Sequence, residues 1–248
     1  MLKKPILIVT LENGENEFKE CVEMINKQVS EDFKHVIVSG LNELNAHLEL
    51  GKIWNMERGN YRLLVKIDAD SILMSENSLE KISELFLTSQ ITGAQIKMFD
   101  YFSNDLISGL NVFSNQVSFS SPKTKLRPDN IDLGNTKILK GSKVEYLEPI
   151  AWHCKYPSNK QSFVYGFHRT LKNQKLIMRK VANEWIAHND DSRKWAIIGS
   201  LNASKKKLMR FNYSSDKAAR LYEVCSNKEI SHTEVLNYAR VLSASSHS

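Results

Sequence analysis

The sequence predicts an α/β fold: a mostly parallel central sheet flanked by helices, followed by a helical C-terminal extension. Two observations carry that expectation. Over the first hundred residues, short apolar runs alternate with windows of helical periodicity, the pattern that a parallel sheet with crossover helices requires. Over the last hundred, strand-like runs give out and helical windows follow one another.

The first element is PILIVT (5–10), an apolar run bounded by Lys4 and the polar stretch ENGEN, which suits a buried strand ending in a loop. From Asn16 to Gln28, Phe18, Cys21, Val22 and Ile25 recur at spacings of three and four, as one face of a helix requires. HVIVSG (35–40) reads as a second strand, 42–55 as a helix, and YRLLVKIDAD (61–70) as a third strand. A helix over 78–88 shows Leu79, Ile82, Leu85 and Phe86 on one face, and GAQIKMF (93–99) is the next strand. Residues 100–135, rich in Ser, Asn, Asp and Gly, predict loops and short strands around a site. KVEYLEPIAWH (143–153) returns to strand character, and helices are expected over 163–180, 192–207, 214–225 and 233–244.

The apolar fraction of 42% provides for a sizeable core. MLKKPILIVT lacks a small-residue cleavage site, and no run approaches the roughly 18 apolar residues of a membrane span, so a soluble, cytoplasmic protein is expected. Cys21, Cys154 and Cys225 are far apart, without a CxxC pair, and read as reduced structural thiols. The net charge of +6 is unevenly spread: residues 151–248 carry 17 Lys/Arg against 7 Asp/Glu, and residues 1–150 carry 17 against 21. A basic stretch favours phosphate-rich ligands, nucleic acid or an anionic membrane surface, and a solvated basic face is the plain alternative.

The most informative stretch is KIDADSILMS (66–75), where two carboxylates interrupt an apolar run. In a strand, side chains alternate, so Asp68 and Asp70 would converge on one spot while Ala69 points away. Two carboxylates held close at a strand's C-terminal end repel each other, which makes a divalent cation a natural partner. In open α/β sheets that end is where ligands bind.

The order ILIVTLENGENEFKECVEMINKQ, DFKHVIVSG, then LLVKIDADSIL about sixty residues on resembles the GT-A glycosyltransferases, family 2 especially. The resemblance implies a nucleotide-sugar-binding GT-A core over 1–155 and a basic, mainly helical region over 156–248 completing the active site. It implies Mn²⁺ or Mg²⁺ on Asp70, ribose beside Asp68, and donor contacts from Lys66 and Ala69 of the same stretch. Thr10, Leu11 and Glu12 occupy the first nucleotide-contacting loop of that family, with Glu12 toward uracil or ribose. Ser39 stands where the family commonly has an Asp after strand two. AWHCKYPSNKQSFVYGFHRTLK (151–172) looks like a downstream segment that supplies a metal-binding His, which makes His153 the second ligand.

Glycosyl transfer also requires positive charge where the nucleoside diphosphate departs, and Lys160, Arg169 and Lys172 are the candidates. Helical spacing puts His168 and Lys172 four apart on one face, with a solvated basic helix as the bland reading. A base is needed to activate the acceptor hydroxyl; among Asp100, Asp105, Asp129, Asp132 and Glu148 the choice falls on Asp132, in NIDLGN before the His strand. The expected activity is therefore inverting transfer from a nucleotide sugar, a UDP-sugar by preference. The acceptor would be a glycan, lipid-linked or protein-linked, with possible peripheral contact at the inner membrane face and no nucleic acid. Competing readings are a phosphatase or nucleotidyltransferase using the same carboxylates, although DADSI misses the phosphatase pattern and ends the third strand rather than the first. A nucleic-acid-binding protein using KKKLMR (205–210) is a third.

Overall fold

The structure is a computed structural model, and it describes residues 4–88, 91–120, 122–124, 127–131, 138–139, 148–207, 215–225 and 227–244. The chain forms two compact units, Met1–Asp100 with Leu106–Lys155, and Tyr101–Asp105 with Tyr156–Ser248.

In the first unit, β1 (Ile6–Glu12) lies between β2 (Phe33–Ser39) and β3 (Leu63–Asp68), parallel to both. The apolar run of β1 is continuous because the strand is covered on both faces. Ile6 and Ile8 join Leu63, Val65 and Ile67 in one core layer, against Cys21 and Ile25 of α1 (Phe18–Asn26) and Leu79, Ile82 and Leu85 of α3 (Ser78–Thr88). Leu7, Val9, Leu11 and Leu64 join the other layer, against Leu50 and Trp54 of α2 (Glu43–Glu57). Asn42 caps α2, its side chain accepting from the Asn45 N–H at 3.0 Å. Trp54 is fully buried and donates its indole N–H to the Val117 carbonyl at 2.9 Å.

The sheet continues through β4 (Ser71–Leu73), β5 (Gly93–Asp100), β6 (Asp105–Ser114) and β10 (Ala151–His153), in the order β2-β1-β3-β6-β5-β10-β4. β9 (Ile138–Leu139) pairs with β5, and β7 (Pro122–Thr124) and β8 (Arg127–Ile131) form a separate two-stranded sheet. The α/β class and the sheet flanked by helices are as expected. β1, β2 and β3 run parallel, as do β5 and β10, whereas β6 and β4 are antiparallel to β3 and β10.

Three expectations are corrected here. The third strand ends at Asp68, and Ala69 and Asp70 form a turn into β4, so Asp70 is aimed by a turn rather than by strand alternation. Residues 105–114, expected as loop and short strands, form a ten-residue strand paired with β3, Leu64 opposite Phe113 and Val65 opposite Val112. Its N-terminal half is only partly covered and its Leu110–Phe113 half is buried, and the Ser, Asn, Asp and Gly content of the region hides the strand over its whole length. Of 143–153, only Ala151–His153 is strand among the described residues, and 140–147 lie outside them.

The second unit is helical: α4 (Asn159–Leu171), α5 (Lys175–His188), α6 (Asp191–Lys207), α7 (Ser215–Val224) and α8 (His232–Ala244). The single helix expected over 163–180 is two helices. Ser158 and Gln161 form a capping box that starts α4 earlier, and Asn173, at φ 60°, breaks the chain between α4 and α5. Arg193 holds the Tyr101–Asp105 segment, donating from Nε to the Phe102 carbonyl at 2.9 Å and pairing with Asp190 at 2.8 Å. Among the described residues, no helix is long and apolar enough to cross a membrane.

Candidate metal centre

Strand alternation on β3 turns Lys66 and Asp68 to the same side, away from the Leu63, Val65 and Ile67 layer. Lys66 is nearly buried, and its ammonium lies 2.7 Å from both Asp68 carboxylate oxygens. Surrounding protein disfavours the Asp68 charge, but the Lys66 ammonium, with smaller help from His47 and His153, overcomes it and holds the carboxyl below its usual range. The Asp68 side chain is 44% exposed, so the ionised group still faces outward.

Register explains the rest. β10 pairs with β4 and β5 so that His153 lies opposite Ser71 on one side and Asp100 on the other. Asp70 immediately precedes Ser71, and the Cys154 N–H ties the turn down by donating to the Asp70 carbonyl at 2.8 Å. The His153 imidazole thereby sits between two carboxylates, Nδ1 2.7 Å from Asp100 Oδ1 and Nε2 3.5 Å from Asp70 Oδ2. Asp100 is fully buried. A carboxylate only accepts, so Nδ1 carries the proton toward Asp100, while Nε2 faces Asp70 Oδ2. At 3.5 Å that approach is too long for a good hydrogen bond, and a cation between the two atoms would satisfy both. A buried carboxylate behind a histidine is also how metal-binding imidazoles are oriented.

Cys154 completes the cluster. It is buried, at φ 52°, with Sγ 3.5 Å from Asp70 Oδ2 and 3.7 Å from His153 Nε2. Burial first, then the Asp70, Asp100 and Glu17 carboxylates, pushes its thiol pKa up. Among the described residues, one ligand atom each from Asp70, His153 and Cys154 lie within 4.8 Å of one another. Glu15, in the first βα loop, is pushed up to about 7 by burial, against a hydrogen bond from the Asn13 N–H, and by the charges of Asp70 and Asp68. This corner accumulates negative charge, and its carboxylate and imidazole donors suit a divalent cation.

The other expected residues divide by unit. Glu12 and Ser39 are opposite each other at the C-terminal ends of β1 and β2, and Leu11 lies opposite Asp68, so the strand ends bring these positions to one edge. Glu12 accepts from the Gly14 N–H at 2.6 Å. Thr10 is fully buried with Oγ1 2.8 Å from His35 Nε2, which commits its hydroxyl within the fold. Ala69 is buried and donates its N–H to the Leu11 carbonyl. Lys160, Arg169 and Lys172 belong to the second unit, where Lys160 lies 3.9 Å from Glu223, Arg169 stacks over Tyr165 and donates to Gln174, and Lys172 ends α4. Asp132 lies outside the described residues. Of the other base candidates, Asp100 is engaged with His153 and Asp105 pairs with Lys180.

Sequence reasoning missed Asp100 as the partner of His153, and missed Glu15 and Cys154. A signal existed for Asp100, which ends the apolar run of β5 as Asp68 ends that of β3. Cys154 follows His153 directly, but alternation would have placed it on the opposite side.

No family model matches the chain, and no curated protein matches it. Solved structures with some similarity include A197 from STIV, with a TM-score of 0.36 at 13% identity over 45% of this chain and 65% of that one. A glycosyltransferase involved in glycosylation of the major capsid of PBCV-1 gives 0.34 at 14% identity, over 45% and 60%. The chain thus spans less than two thirds of either. The mannosyltransferase PcManGT from Pyrobaculum calidifontis, in complex with GDP-Man and Mn²⁺, gives 0.42 at 9% identity, over 98% and 86%. Likenesses this distant leave the activity to be argued from the site.

Proposed function

We propose that this chain is a metal-dependent glycosyltransferase of GT-A type, family 2-like. It takes a sugar from a nucleotide-sugar donor, a UDP-sugar by preference, and passes it to a glycan, lipid-linked or protein-linked acceptor with inversion. The observation that carries the reading is the line Asp100, His153, Asp70, with Asp68 beside it at the ligand-binding edge of the sheet. Asp70 and His153 would hold Mn²⁺ or Mg²⁺, which when bound neutralises the diphosphate of the leaving group.

The chain's own residues have separate tasks. Asp100 fixes the imidazole tautomer, so that Nε2 rather than Nδ1 is the donor atom. Lys66 keeps Asp68 ionised, ready to accept from ribose hydroxyls. Glu12 and Ser39, at adjacent strand ends, line the nucleoside side. Lys160, Arg169 and Lys172 contribute positive charge to the departing diphosphate, and Asp132 serves as base. The basic C-terminal region rests against the anionic inner face of a membrane.

A thermal-shift screen with UDP, GDP, dTDP and CMP, each with and without Mn²⁺, tests the reading. One nucleotide should stabilise the protein only with metal, and Asp70→Ala should abolish the shift. Asp100→Asn should weaken the metal-dependent binding about 10- to 100-fold, as expected for loss of an outer-sphere partner. No shift with any nucleotide would sink the proposal.

A further inference from the structure

Cys154 has a geometry that neither a buried structural thiol nor a Mn²⁺ or Mg²⁺ site requires. Among the described residues, four non-glycine residues have positive φ, and three of them, Asn104, Asn173 and Asn189, are of the type that tolerates it. Cys154 is the exception, at φ 52°. Extended backbone at 154 would send its side chain to the face opposite His153. The left-handed turn instead brings Sγ to the His153 side, at a cost in backbone strain that a cysteine does not ordinarily bear.

The three donor atoms form a nearly equilateral triangle: Asp70 Oδ2 to His153 Nε2 is 3.5 Å, Asp70 Oδ2 to Cys154 Sγ 3.5 Å, and Nε2 to Sγ 3.7 Å. Tetrahedral coordination with ordinary Zn–O, Zn–N and Zn–S bond lengths sets those edges at about 3.3, 3.5 and 3.6 Å. An octahedral ion of Mg²⁺ size draws neighbouring oxygen donors to about 2.9 Å. The observed triangle corresponds to one face of a tetrahedron, and a carboxylate, imidazole and thiol set ranks thiophilic ions above hard ones.

We propose that Cys154 is a third ligand of this site, and that Asp70, His153 and Cys154 select a thiophilic divalent cation such as Zn²⁺ over Mn²⁺ and Mg²⁺. The inference rests on the reading that Asp70 and His153 hold a cation, and it ranks the cations: Mn²⁺ or Mg²⁺ fills the site when no thiophilic ion competes for it. Before coordination the thiol lies within donor range of Asp70 Oδ2. On binding, the S–H bond breaks, its proton leaves to solvent, and a metal–sulfur bond forms in its place without redox change. Outer partners such as Asp100 are worth about 10–100-fold in affinity, and a directly bonded thiolate is worth at least as much for a thiophilic ion.

Co²⁺ titration of the full chain, followed by absorption, tests this. Wild type should show a thiolate-to-Co²⁺ charge-transfer band with the intense visible bands of tetrahedral cobalt, saturating at one ion per chain. Zn²⁺ should erase the band, whereas Mn²⁺ in about tenfold excess should leave it. Cys154→Ser should lose the band and bind Co²⁺ at least about tenfold more weakly, with Mn²⁺ affinity unchanged, while Cys225→Ser should keep it. Absence of the band in wild type would overturn the inference whether or not the variant folds, as would its persistence in Cys154→Ser or its loss in Cys225→Ser. A Mn²⁺-dependent nucleotide shift without the band would remove this inference alone, and absence of both ion binding and nucleotide shift would remove the functional reading as well.

Discussion

Asp68 and Glu15 shift in opposite directions: the Lys66 ammonium against Asp68 outweighs burial there, whereas burial, and then the charges of Asp70 and Asp68, prevail at Glu15. The Lys66 pair makes ionised Asp68 a stabilising group: its pKa is depressed on folding, so that stability is present above the unfolded value and is lost as pH falls through the folded one. Glu15 runs the other way. Folding raises it from 4.5 to about 7, so the folded state holds a proton that the unfolded state has released, and stability declines as pH rises across that window. Glu15→Gln is therefore expected to raise the melting temperature at pH 8 and to change it little at pH 4.5. A thermal denaturation series of both proteins over pH 4.5–8 checks this, and an equal effect at both ends would refute it. The Asp68–Asp70 pair was legible because two charges in an apolar run demand an explanation. Glu15 and Asp100 were not, because a lone acid at a loop or strand end is commonplace until tertiary structure shows what it faces.

At the scale of elements, legibility followed burial. β1 and β3 are buried on both faces along most of their length, and their apolar runs show in the sequence. β6 opens on a mixed, half-exposed stretch, DLISG, that hides its strand character, and Asn173 separates α4 from α5 inside a helical pattern that its neighbours continue. The α4–α6 contact has a sharper requirement. A Cβ on Gly166 would fall 1.8 Å from the Ala196 carbonyl oxygen, and one on Gly199 would fall 2.1 Å from that of Phe163. Each glycine admits the other helix's backbone, and backbone cannot rotate aside as a side chain would. Both substitutions force the helices apart, so Gly166→Ala and Gly199→Ala should each destabilise by at least about 1–3 kcal/mol despite the better helix propensity of Ala. The two share one contact, so the double variant should lose less than the sum of the singles. Urea denaturation measures all three, and full additivity would show the contacts to be independent.

For the whole molecule, alternation of strand and helix gave the class, whereas pairing of β10 between β4 and β5 was beyond reach because it joins segments some fifty to eighty residues apart. Charge is the remaining global property, concentrated as 17 Lys/Arg against 7 Asp/Glu in residues 151–248. If that excess serves membrane contact, binding must respond to lipid charge and to salt together. Each well-placed Lys near an anionic surface contributes about 1 kcal/mol, so replacing Lys205, Lys206 and Lys207 with Gln should weaken partitioning onto phosphatidylserine-rich vesicles by about 100-fold at low salt. Neutral phosphatidylcholine vesicles should bind neither protein. Raising salt to 1 M shortens the screening length to about 3 Å and should bring wild type down to the variant's level. Unchanged partitioning of the triple variant would assign the basic excess elsewhere, and salt-sensitive, metal-independent binding to RNA in place of vesicles would point to nucleic acid.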